Sequence, residues 1–322
     1  MPVDHLLACY FFENFYRASY GYDLAGNLTS QTYPSGRTVT TIFDAAGRMS
    51  GVSGQKSGEG TKNYLSQVSY SAAGTVTQMR LGNGLWESTV FNSRLQATRI
   101  GLGASGGSIS VVGLDYGYGT SANNGNVTSQ TISAPGLTLT QSYGYDELNR
   151  LKTATESGVW SQTYSYDQYG NRAVTAGYVP NTTLTPQTLT AFNASNNRLV
   201  GSSYDAAGNQ VQDAAGRTFS YDGENRQVSF NGGTATYSYD GDGRRVKKVD
   251  GAGTTIFVYN VMGQMVAEYS TTPPQGAGGT SYLTADHLGS TRVVTKQDQS
   301  VKARYDYWLC TESLLVVEAP RN

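Results

Sequence analysis

The chain has 322 residues, 39 of them Gly and 24 Tyr, with 15% charged residues and a net charge of -1. That balance excludes a strongly basic nucleic-acid binder and a polybasic membrane-surface protein. No apolar run reaches the roughly 18 residues of a membrane-spanning helix. The two histidines, His5 and His287, and the two cysteines, Cys9 and Cys310, are too scattered for a Cys/His zinc site. Cys9 and Cys310 read as free thiols, with a bridge between the chain ends as the alternative.

Residues 1–19 form a non-repeat lead and lack the basic start and unbroken apolar stretch of a secretory signal. From residue 20 a short pattern recurs: an aromatic residue, Asp, two variable residues, Gly or Asn, then Asn or Arg. Clear copies begin at Tyr22-Asp23, Phe43-Asp44, Tyr145-Asp146, Tyr166-Asp167, Tyr204-Asp205, Tyr221-Asp222 and Tyr239-Asp240. Weaker ones begin at Tyr70, Phe91, Phe192 and Tyr259, and Asp286..Gly289 lacks the aromatic. Each copy predicts a hairpin. Asp accepts hydrogen bonds from backbone N–H groups just ahead of it, and Gly or Asn takes the positive φ of a type I turn followed by a left-handed residue. Alternating runs such as Tyr143-Gly-Tyr145 and Tyr237-Ser-Tyr239 precede the turns, and an apolar residue such as Leu28, Met49 or Val246 follows. Period-two alternation rich in Tyr, Val and Thr predicts strands.

The composition is even along the chain and marks no boundary in the middle. The predicted fold is therefore all-β: one long antiparallel sheet of repeated hairpins over residues 20–308, curling into an open spiral. Some 13 hairpins give about 26 strands, a strip roughly 125 Å long at ~4.8 Å per strand. That is enough for an open, single-turn arc with exposed edges.

Several local patterns invite sharper readings. Gly101-Leu-Gly103-Ala-Ser-Gly106 matches a dinucleotide-binding loop, but a strand-like run follows instead of a helix, so it reads as a Gly-rich loop. Asp240-Gly-Asp242-Gly243 matches the start of a calcium loop, yet the twelfth position is Gly251, so it reads as a repeat turn. His287 beside Asp286 has no nucleophile with an oxyanion-type context and reads as part of a turn. The tyrosines, Tyr164, Tyr166 and Tyr239 among them, read as sheet packing, with outward rings as possible sugar platforms. Arg48, Arg150, Arg226 and Arg244 are placed to pair with Asp of a neighbouring repeat or, with Lys247 and Lys248, to blunt sheet edges. The Asn-x-Ser/Thr sequons at Asn27, Asn126, Asn181 and Asn193 are expected by chance in so Ser/Thr-rich a chain. No catalytic, cofactor-binding or metal residue is assigned.

The Tyr/Phe-Asp copies resemble the RHS, or YD-repeat, family. So does Tyr282-Leu-Thr-Ala-Asp286-His287-Leu288-Gly289-Ser290-Thr291-Arg292, which is similar to the segment preceding the RHS-associated core, followed by Tyr305-Asp306-Tyr307-Trp308. The resemblance implies a teneurin-like YD shell, a β-cocoon that in large bacterial relatives holds a C-terminal toxic domain. It implies a structural, non-enzymatic role, with the toxin or core domain of a longer protein as partner. Secretion or cell-surface display follows from the same resemblance; without an export signal, the chain as written is also compatible with the cytoplasm. A carbohydrate-binding or adhesion module is the alternative, and edge-to-edge self-association is a further expectation. Residues 309–322 depart from the family pattern: Pro-Phe-Gly does not follow Trp308, and no Asp-Pro dipeptide occurs. The self-cleaving aspartates of the longest members therefore have no counterpart, and the chain reads as a truncated fragment.

Overall fold

The computed structural model of the chain describes residues 5–11, 14–179, 181–260, 263–272, 279–307 and 314–317. It is all-β, with single 3-10 turns at Leu189–Ala191 and Asn231–Gly233. Contacts divide it into two compact units, Met1–Trp160 with Gly278–Asn322, and Ser161–Ala277, a division that the even composition does not mark.

In the first unit the strands follow one another as β1 (His5–Phe11), β2 (Asn14–Tyr22), β3 (Leu28–Thr32), β4 (Arg37–Phe43), β5 (Met49–Lys56), β6 (Lys62–Tyr70) and β7 (Val76–Leu81). They continue as β8 (Trp86–Phe91), β9 (Ala97–Gly103), β10 (Val112–Gly117), β11 (Ser129–Ala134), β12 (Leu137–Tyr145) and β13 (Leu151–Glu156). Each pairs antiparallel with the next, so sequence neighbours are sheet neighbours. Among the described residues β1 pairs with β2 alone, so the ladder does not close into a barrel. Strand pairing therefore begins within the lead that carries no repeat.

The second unit contains β14 (Trp160–Tyr166) and β15 (Arg172–Gly177), the short pair β16 (Ser203–Tyr204) and β17 (Gln210–Gln212), then a six-stranded ladder. That ladder is β18 (Phe219–Tyr221), β19 (Gln227–Phe230), β20 (Ala235–Tyr239), β21 (Arg245–Asp250), β22 (Gly253–Tyr259) and β23 (Met265–Ser270). Pairing pauses after β15, where Pro186 has no N–H to give a ladder. Its carbonyl instead accepts from Val174 N at 2.9 Å, folding the loop back against β15. The chain then returns to the first unit as β24 (Ser281–Ala285), β25 (Thr291–Lys296), β26 (Val301–Tyr307) and β27 (Leu314–Val317).

The turn chemistry repeats. In Asp44–Arg48, Asp44 N donates to Arg48 O (2.8 Å) and Gly47 N to Asp44 O (3.0 Å). Asp44 Oδ1 accepts from Ala46 N and Arg48 N, both at 2.9 Å. Gly47 holds φ 73°, and Asn149 and Asn225 hold φ 60° at the equivalent positions. This is the expected type I turn with a left-handed closing residue. Register shifts one residue before many of the turns, as at Ile42/Phe43 and Ser238/Tyr239. The same bonds close turns without Asp: Ser71 and Asn92 accept from the amides two and four residues ahead, and Asn260 from Gln264 N. They also close Asp213–Arg217, a copy whose missing aromatic (Gln212) hides it in the sequence.

The leftover carboxylate oxygen settles where the arginines go. Asp Oδ2 bonds the side chain four residues on in the same turn, as in Asp44–Arg48, Asp146–Arg150, Asp222–Arg226 and Asp240–Arg244. These ion pairs thus lie within each repeat, because the turn folds the fifth residue back over the first, and Arg226 also reaches the backbone carbonyl of Asp240 in the next repeat. The guanidinium then stacks on the next repeat's aromatic ring: Arg48 on Tyr70, Arg226 on Tyr239, Arg244 on Tyr259. The same tyrosines bond back to the previous repeat. Tyr70 OH donates to Met49 O, Tyr239 OH to Gln227 O and Tyr259 OH to Arg245 O. Lys247 and Lys248 lie in β21, an interior strand, so they blunt no edge, and Lys248 pairs with Asp250.

These turns set an acid limit on stability. The Arg48 amide, then its guanidinium, holds the Asp44 carboxyl below 3.8; the Arg226 amide does the same for Asp222; the Asn27 side chain, then its amide, does so for Asp23. A carboxyl depressed in the folded state stabilises fully above its unfolded pKa, and that stability is lost as pH falls through the folded values. Circular dichroism on acid titration should show strand loss beginning below about pH 4, near the unfolded aspartate pKa. Asp→Asn at Asp44 and Asp222 should flatten that limb. An unchanged acid limb would mean the turns do not set it.

Candidate functional site

The segment 286–292 departs most from an ordinary repeat. It opens as one: Asp286 N donates to Ser290 O (2.8 Å), Gly289 N to Asp286 O (3.0 Å), and Asp286 Oδ1 accepts from Leu288 N and Ser290 N. The residue four on is Ser290 and not Arg or Asn, so Oδ2 takes its partner from Arg292. Arg292 Nε reaches Asp286 Oδ2 at 3.0 Å and Nη1 reaches Asp306 Oδ1 at 2.8 Å, with the guanidinium over the Tyr307 ring. The Arg292 and Asp286 side chains are 8% and 5% exposed. Burial works against the Arg292 charge, and Asp286 and Asp306 outweigh it, raising its pKa.

The sheet β24–β26 lies against one face of β7–β11. Their shared core contains Leu81, Ile100, Leu102, Val112, Leu114 and Tyr116 from the long ladder, with Tyr282 and Val293 from the C-terminal sheet. His287 packs its ring at 4.4 Å from that of Tyr116, and its backbone N–H donates to the Tyr116 hydroxyl oxygen at 3.4 Å. Burial pushes the His287 imidazole pKa down, against the opposing pull of Asp286. His287 and Leu288 line one end of an open groove of about 600 Å³ whose walls include Phe91, Ile100, Val127 and Tyr145. The polar groups there are already engaged: Tyr118 OH donates to Ala97 O, Tyr145 OH to Val127 O, and Gln96 is held by Asn92 and Asn123.

A turn-to-turn clasp fixes this arrangement. Asn83, 5% exposed in the β7–β8 turn, donates through Nδ2 to Thr295 Oγ1 (3.1 Å) and Lys296 O (3.0 Å), while its Oδ1 accepts from Leu85 N. Gln297 and Gln299 donate back to Gly82 O and Asn83 O. Gly82 must be glycine here, since a Cβ would stand 1.9 Å from Asn63 O and 2.6 Å from the Tyr282 hydroxyl. Asn83→Ala leaves buried partners on both turns unsatisfied and should cost about 1–3 kcal/mol in urea unfolding. Asn83→Asp, which keeps the acceptor and loses the donors, should fare no better.

A model of the RHS repeat family matches residues 22–62. The chain carries an RHS repeat. The match covers two adjacent turns, Asp23–Asn27 and Asp44–Arg48, and turns closed by the same bonds recur through both units. No curated protein matches in sequence. Among solved structures, the Photorhabdus luminescens Tc holotoxin pore, in a TccC3 variant, is 18% identical with a TM-score of 0.71. The TcdB2–TccC3–Cdc42 crystal structure is 17% identical with a TM-score of 0.72. Both likenesses cover 92% of this chain and 18% of the other. TcdB2–TccC3 without its hypervariable C-terminal region gives 16% identity and a TM-score of 0.66 over 96% of this chain. At these identities the likeness shows the fold, and the chain spans under a fifth of each structure's length.

The other candidates from the sequence lie in strands and turns. Gly103 ends β9, and the loop after it leads into β10, a strand where a dinucleotide site needs a helix. Asp240 is occupied by Arg244, which also reaches Asp242. Tyr164 is 2% exposed and gives its hydroxyl to Gln162 Oε1, so it presents no ring to a sugar; Arg226 covers Tyr239. Cys310 and Trp308 lie outside the described residues, as do the side chains of His5 and Cys9. No group of His, Cys, Asp and Glu among the described residues is arranged to hold a metal. Among the described residues no helix is long and apolar enough to cross a membrane. Asn83 escaped sequence reasoning, because its partners Thr295 and Lys296 lie on a part of the chain more than 200 positions away.

Proposed function

We propose that this chain is a non-enzymatic length of RHS shell wall, which in its assembled form encloses a partner domain and works outside the producing cell. One observation carries the reading: RHS turn after RHS turn is closed by its own Asp and locked to the next repeat by a Tyr hydroxyl and, at several joints, a stacked Arg. Such joints build a wall of repeats and leave the turn carboxylates no free oxygen for chemistry. The likeness to TcdB2–TccC3 persists without the hypervariable C-terminal region, which supports a wall whose fold is independent of its contents.

The test is protection. The chain, expressed together with the polypeptide encoded downstream of it, should copurify with that polypeptide and slow its digestion by an added protease at least tenfold. Digestion at the same rate with and without the chain would overturn enclosure.

A further inference from the structure

Glu87 occupies an unusual place on the docked face. In register it sits between Met79 on β7 and Leu102 on β9, and Leu102 is wholly buried in the core shared with the C-terminal sheet. Across the layer stands Thr284 of β24, 1% exposed. Glu87 Oε2 and Thr284 Oγ1 are both closed off from water, and neither has a hydrogen-bond partner. Charges on the surrounding elements are committed elsewhere: Arg80 of β7 lies over Trp86, Arg99 of β9 pairs with Asp115, and Asp286 beyond β24 pairs with Arg292. Among the described residues of β7, β9 and β24 no other charged side chain is engaged with the carboxyl; two strands beyond Thr284 on the same sheet face, through Val293, stands Arg304 of β26, whose Nε is also without a partner.

We propose that Glu87 is a pH-responsive latch: as a neutral acid it grips Thr284 of β24, and its ionisation loosens the C-terminal sheet from the long ladder. A carboxylate between Met79 and Leu102 keeps its Oε2 out of contact with water, which disfavours the charged form. Either protonation state can share one hydrogen bond with the Thr284 hydroxyl, but only the neutral acid does so without holding a charge in the layer. On ionisation the proton passes to solvent and the carboxylate must draw water into the layer. Burial pushes the Glu87 carboxyl above 4.5, opposed by the Thr284 hydroxyl. A carboxyl raised in the docked state stabilises docking fully below its free pKa, and this is lost as pH rises through the docked value. This is opposite in sign to the turn aspartates, and it holds whether or not the chain encloses a partner.

The experiment is hydrogen exchange on the full chain, corrected for intrinsic rates, between pH 5 and pH 8. Protection of β24 and β25 should fall with rising pH, by up to about tenfold per unit between the free and docked pKa, while β4 and β5 stay level. Glu87→Gln should abolish the slope and leave β24 better protected at pH 8 than in the wild type. Thr284→Val should lose more protection at pH 5 than at pH 8. A wild-type slope of the opposite sign, or an unchanged slope in Glu87→Gln, would overturn the latch. Should Glu87→Gln fail to fold, a carbon-13 titration of wild-type Glu87 decides: a midpoint at or below the ordinary glutamate value overturns it.

Discussion

Arg292→Ala is expected to destabilise the unit built from Met1–Trp160 and Gly278–Asn322 by about 3–5 kcal/mol, the usual cost of removing one partner from a buried ion pair. Among the described residues, Arg292 is the cation paired with both Asp286 and Asp306, and the Arg292 and Asp286 side chains are both buried. Alanine strands the buried Asp286 carboxylate, frees that of the half-buried Asp306 and removes the cation stacked on Tyr307. Arg48→Ala, in a pair whose Arg side chain is 45% exposed, should cost no more than about 1 kcal/mol. Lysine at 292 keeps the charge but not the fork that reaches both carboxylates, so it should fall between wild type and alanine. Urea unfolding at pH 7 reads all three variants, and a loss below about 1 kcal/mol for Arg292→Ala would show the ion pair to be effectively solvated.

Much of the fold is legible in the sequence because its determinants are local. Asp at the first turn position, Gly or Asn at the fourth and alternating Tyr before them fix each hairpin within a few residues of itself. Consecutive pairing then follows from the short connections. What the sequence hid is of two kinds. Asp213–Arg217 keeps the turn bonds but lacks the aromatic, so a pattern built on Tyr-Asp passes over it. The docking of β24–β26 is not local at all. Asn83 and Thr295 are 212 positions apart, and nothing around either residue points to the other. The arginines were misread for a related reason: from spacing alone a neighbour's Asp and the residue's own Asp are both within reach, and only the folded turn shows that the nearer one is already in contact. Asp286–Arg292 is the informative exception. Its serine at the fifth position frees the carboxylate for a strand residue, turning a repeat turn into a docking element.

Leu114→Ala is the second large effect, at about 2–5 kcal/mol. Leu114 is fully buried in β10, in register with Ile100 on β9 and Ile132 on β11. Strand backbones held by ladders on both sides collapse little around a lost side chain, so most of the cavity should persist. The cost should also be shared between layers. Leu114 belongs to a core cluster completed by Tyr282 and Val293 from the C-terminal sheet, so loosening it weakens docking as well as the ladder. Hydrogen exchange in Leu114→Ala should therefore accelerate in β24 and β25 together with β9–β11. Protection lost from β9–β11 alone would mean that the C-terminal sheet is held by the Asn83 clasp and the Arg292 ion pairs without help from the core. The cooperative result requires that the apolar layer, and not the clasp, carries most of the docking energy. Combining Leu114→Ala with Asn83→Ala separates these contributions: two independent anchors give additive losses, whereas a single cooperative interface gives a combined loss smaller than the sum, because the first substitution already releases what the second would remove.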